Sequence, residues 1–63
     1  MTVETYIRRI RHPAKRDFAV RYAAWVRAGS EGDSPDSTIS PMARQGVRWA
    51  INEILTGSMW GNP

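Results

Sequence analysis

The chain has no cysteine and a single histidine, His12. The first absence excludes disulfides and thiolate metal centres, and the second leaves no pair of imidazoles for a zinc site. No apolar run approaches the roughly 20 residues that a membrane span needs, and the first residues lack the apolar core of a secretory signal. These features predict a soluble, cytoplasmic protein without metal or other cofactor. Catalytic signatures are scarce as well: there is no Gly-rich phosphate loop, no paired histidines on a helix and no serine in a nucleophile elbow. His12 and Asp17 are close enough in sequence to orient one another. A general base also needs a nucleophile and a walled pocket, however, and so short a chain rarely encloses one. The expectation is a non-enzymatic protein.

Sixty-three residues make one domain, residues 1–63. A chain of this size buries only about 60% of the surface it exposes when unfolded. Small folds usually need a staple, and with cysteine and metal gone, association with a partner or a second copy is the remaining one. The net charge of +3 is unevenly spread. Between residues 6 and 29 the bases Arg8, Arg9, Arg11, Lys15, Arg16, Arg21 and Arg27 face a single acid, Asp17, whereas residues 30–39 hold Glu31, Asp33 and Asp36 and no base. The strong preference for arginine over lysine suits recognition of phosphate or carboxylate, and it follows equally from a GC-rich coding sequence.

Residues 13–29 (PAKRDFAVRYAAWVRAG) carry the clearest helical pattern. Pro13 suits the first helical position, with His12 as a weak cap, and Gly29 suits the left-handed residue that ends many helices. Ala14, Phe18, Tyr22 and Trp25 recur at steps of four, four and three, so they share one side. Ala19, Ala23 and Val26 widen that stripe, and Arg16, Asp17, Arg21 and Arg27 oppose it. Three aromatics so placed are expected to form the core rather than a platform for stacking bases.

A second helix is predicted from Ser40 to Thr56, with Ser40 capping, Pro41 first and Gly57 just past the end. Ala43, Val47, Ala50, Ile51 and Ile54 form its inner stripe, expected to pack on Phe18, Tyr22 and Trp25. Met42 and Trp49 fall on the opposite side. They are either covered by a further element, the expectation in a compact fold, or exposed as a contact surface. Trp60, in the tail, is expected to be buried on the core or in an assembly. Residues 2–11 (TVETYIRRIR) favour a third helix, because Val3, Tyr6, Ile7 and Ile10 share a face and Thr2 can cap it. A strand is the alternative on grounds of β-propensity. Residues 29–40, rich in Gly, Ser, Asp and Pro, read as a long surface connection. Asp33 and Asp36 there lack the alternating ligand spacing of a calcium loop.

The fold expected is thus an all-α domain of two to three helices. The segment SPMARQGVRWAI, with a capping serine, an arginine four on, a small residue and then an aliphatic, resembles the ribbon-helix-helix DNA-binding family. That resemblance implies an N-terminal strand, paired in an intertwined dimer, that inserts side chains from among Thr5 to Arg11 into the major groove. Residues 29–40 are longer than that family's helix connection.

For function, the candidate site is Arg8, Arg9, Arg11, Lys15 and Arg16, a density of cations able to contact several phosphates if they converge. This points to a small basic regulator that binds nucleic acid, expected to be duplex DNA, as a homodimer. The rival is a small regulatory or inhibitory protein of the sort that phages and mobile elements encode. It would dock on a host protein through Met42, Trp49 and Trp60, or bind an acidic protein surface with its arginines.

Overall fold

The computed structural model describes residues 1–57, which form three helices: α1 (Val3–Arg9), α2 (Pro13–Arg27) and α3 (Pro41–Thr56). No strand forms among the described residues. The strand alternative for residues 2–11 is therefore overturned, and with it the paired N-terminal ribbon that the ribbon-helix-helix resemblance implies. The cause is local. Thr2 accepts a hydrogen bond from the Thr5 amide at 3.1 Å and Glu4 occupies the first turn, which satisfies and complements the free amides of a helix start. Val3 is buried, with Tyr6 and Ile7 packed beside it.

The same logic starts and stops the longer helices. His12 is extended, as a residue before proline must be, and its Nδ1 accepts from the Lys15 amide at 3.3 Å. Gly29, at φ 108°, turns the chain out of α2. Ser40 caps α3 through the Ala43 amide at 3.2 Å, and Gly57, at φ 67°, closes it by donating to the Glu53 carbonyl at 2.8 Å.

The core is Phe18, Ala19, Tyr22 and Ala23 of α2 against Val47 and Ile51 of α3, closed by Val3 and by Ile10 at the end of α1. The rings of Phe18, Tyr22 and Trp25 form a tilted series with centroids 5.8 and 5.7 Å apart, within the range that favours aromatic pairing. No polar or charged side chain is buried among the described residues.

α3 runs in the same direction as α2: Lys15 and Ala43 line one groove, and about two turns further along α2 and two and a half along α3 Tyr22 hydrogen-bonds Asn52. The connection must therefore return along α2, about 22 Å for its 15 residues, which accounts for its length. It is also held in place. The Trp25 indole donates to the Glu31 carbonyl at 3.0 Å, Asp36 pairs with Arg44 at 2.6 Å, and Ile39 packs on the core. The long surface connection expected from the composition is a strap tied to both long helices.

One expectation about α3 fails. Met42 is 82% exposed and Trp49 50% exposed, so no further element among the described residues covers that side. With three helices, α3 is overlaid on one side only. Trp60 lies outside the described residues.

Candidate nucleic-acid interface

The elbow between α1 and α2 gathers three cations that make no ion pair among the described residues, Arg9, Arg11 and Lys15. Arg9 ends α1, Ile10 turns the chain into extended geometry, and Lys15 sits in the first turn of α2. Tyr6, Arg9, Ile10, Arg11, His12 and Lys15 line a groove of about 400 Å³. A second groove, of about 620 Å³, shares His12 and Lys15 and continues to Thr38, Ile39, Ser40 and Ala43 at the start of α3. Neither groove is lined by a carboxylate. Burial pushes the Tyr6 phenol above its ordinary range, so it lines the first groove as a neutral hydroxyl.

Three of the six carboxylates are engaged elsewhere. Asp17 pairs with Arg21 at 2.9 Å, Glu4 with Arg27 at 3.0 Å and Asp36 with Arg44. Each of these pairs uses a cation outside the elbow. Arg8, Arg9, Arg11, Lys15 and Arg48 make no ion pair among the described residues.

The five cations singled out in the sequence do not form a single patch. Arg9, Arg11 and Lys15 share the elbow groove. Arg8 lies apart, lining a groove of about 370 Å³ with Glu4, Ile7, Val20 and Arg27 between α1 and α2. Arg16 is exposed but engaged: its Nη1 donates to the Ile10 carbonyl at 3.1 Å, which ties the first turn of α2 to the end of α1. His12, Thr38 and Ser40 complete the surface and were not singled out as binding residues. They reach it because α2 and α3 run parallel, which brings the starts of two distant helices together; no sequence pattern signals that direction.

The second candidate surface is on α3, where Met42 and Trp49 stand exposed on one side of the helix with exposed Gly46 between them. Comparison with protein-family models, curated proteins and solved structures gives no match.

Proposed function

We propose that the protein is a non-enzymatic regulator that binds duplex DNA by its phosphates, using Arg9, Arg11 and Lys15 at the α1–α2 elbow. The supporting observation is the sorting of charge: the ion-paired carboxylates Glu4, Asp17 and Asp36 occupy Arg27, Arg21 and Arg44, while the elbow cations stay unpaired around grooves lined by no carboxylate. A polyanion supplies the missing partners, and releasing its counterions drives the binding. Duplex is preferred over single strands because stacking on unpaired bases needs several exposed aromatics, and beside the elbow cations the groove offers the half-buried Tyr6 alone while Phe18 and Tyr22 are in the core. Such a role belongs in the cytoplasm; no helix among the described residues is long and apolar enough to cross a membrane.

Fluorescence anisotropy with a mixed-sequence duplex across a salt series tests this. Log affinity should fall linearly with log salt, and replacing Arg9, Arg11 and Lys15 together by Gln should flatten the slope by roughly 2.7, about 0.9 per phosphate contact. Absence of binding at low salt, or an unchanged slope in the triple variant, would refute it.

A second reading is favoured by the exposure of Met42 and Trp49: a phage- or mobile-element-type inhibitor docking through α3, with an acidic protein surface as the alternative ligand of the elbow. Under that reading Trp49→Ala abolishes binding to the partner and the triple Gln variant retains it.

A further inference from the structure

The groove of about 620 Å³ beside the elbow is lined by side chains with hydrogens to donate. Its polar members are His12, Lys15, Thr38 and Ser40, and what each can offer follows from what it already does. His12 Nδ1 accepts from the Lys15 amide, so in the neutral ring the hydrogen is on Nε2, which donates. Ser40 Oγ accepts from the Ala43 amide, and its own hydrogen is left to be donated elsewhere. Thr38 makes no side-chain hydrogen bond and Lys15 no ion pair among the described residues. The capped amides of Lys15 and Ala43 are already occupied, and Pro13 and Pro41 have none. Recognition in this groove therefore falls to side chains.

The strap presents Thr38 from a fixed position. Two residues before it Asp36 pairs with Arg44, and directly after it the Ile39 amide donates to Ser37 Oγ at 3.3 Å while the Ile39 side chain packs on the core. Little ordering remains to be done when a ligand arrives.

We infer that this groove holds a second phosphate of the same duplex, with His12 Nε2, Thr38 Oγ1 and Ser40 Oγ as neutral donors and Lys15 as the cation shared with the elbow. This rests on the reading of the elbow as a DNA-phosphate site and extends it to residues that carry no charge. Phosphate fits because its oxygens accept several hydrogen bonds at once, and hydroxyl side chains are common partners of the DNA backbone. Continuity selects a polyanion over a lone anion. The two grooves share His12 and Lys15, so a ligand that repeats its phosphates fills both. The strand then passes from the end of α1 across the start of α2 to the start of α3, which fixes the orientation of the duplex on the protein.

Anisotropy titration of the full chain with the mixed-sequence duplex tests this through a neutral substitution. Thr38→Val removes a hydroxyl and no charge. Affinity should fall by roughly three- to tenfold, the contribution of one ordinary hydrogen bond, by the same factor at every salt concentration and with the slope unchanged. Thr38→Ser should restore it, whereas Arg11→Gln reduces the slope. Thr38 is exposed and makes no side-chain bond within the described residues, so both substitutions should leave the circular dichroism and Tm as they are. Two-dimensional amide NMR spectra locate the contact: the duplex should move the resonances of residues 38–40 together with those of residues 9–12 and 15. A Thr38→Val variant that binds like the wild type, or resonances of residues 38–40 that stay in place while those of the elbow move, would overturn the inference and leave the elbow reading standing. No duplex binding by the wild type at low salt would remove both.

Discussion

The hydroxyl of Tyr22 donates to Oδ1 of Asn52 across 3.1 Å, joining the middle of α2 to the latter half of α3. Tyr22 is otherwise buried between Phe18 and Trp25, so its ring belongs to the core and its hydroxyl sets the register of two parallel helices. Removing only the hydroxyl tests that division. Tyr22→Phe should cost about 1 kcal/mol, since Asn52 is exposed and can turn to water. Tyr22→Ala should cost about 3 kcal/mol or more, as truncation of a buried aromatic does. Urea unfolding followed by circular dichroism measures both.

Arg16 and Arg11 are five residues apart and should behave oppositely. Arg16 holds the Ile10 carbonyl, so Arg16→Gln should lower stability by about 1 kcal/mol, a fall in Tm of roughly 4–8 °C for a domain of this size. Arg11, exposed and unpaired, should shift stability by less than about 0.5 kcal/mol when changed to Gln. On DNA, Arg11→Gln should reduce the salt slope by about 0.9. Thermal melts and the anisotropy series together separate the structural arginine from the binding one.

The Glu4–Arg27 pair makes the contact between α1 and α2 sensitive to acid. A hydrogen bond from the Arg27 guanidinium, then the Glu4 backbone amide and the Arg27 charge, hold the Glu4 carboxyl below its ordinary range. Because the folded value is the lower one, the stabilisation is present above the unfolded carboxyl's titration and is lost as pH falls through the folded value. Glu4→Gln should remove this part of the acid limb and leave neutral-pH behaviour less dependent on salt. Melting curves across an acid pH series, wild type against variant, check it.

Two glycines of α3 should respond with opposite sign. Gly57 is left-handed at φ 67°, and Gly57→Ala should destabilise by about 1–2 kcal/mol. Gly46 is helical, with nothing among the described residues within 4 Å of a Cβ built on it, and Gly46→Ala should stabilise the protein by about 1 kcal/mol. Ser40→Ala, which removes the cap, should cost about 1 kcal/mol. Chemical denaturation at low concentration resolves all three.

Local signals made most of the fold legible. Pro13 with His12 and Pro41 with Ser40 mark where two helices begin, Gly29 and Gly57 where they end, and the steps among Phe18, Tyr22, Val47 and Ile51 show which sides meet. The spacing of residues 2–11 favours helix, with strand as the alternative on their β-branched and aromatic content; the Thr2 cap and the burial of Val3 agree with the spacing. The candidate site was less legible. Arg8 and Arg9 are adjacent in sequence but about 100° apart around α1, so they face different grooves, and Arg16 is withdrawn by a carbonyl that no spacing rule points to. The meeting of Lys15 with Ser40 depends on the relative direction of two helices, which a stripe does not encode.

The strap that ties Glu31 to Trp25 has an electrical consequence. It keeps Glu31 near the last turn of α2 while Arg9, Arg11 and Lys15 crowd the first, a sense of charge that matches the polarity of the α2 peptide groups and that Arg27 in the last turn opposes. If the elbow binds a polyanion as proposed, this asymmetry of charge turns the elbow toward it before any contact is made. Such alignment shows in the rate of encounter more than in the lifetime of the complex.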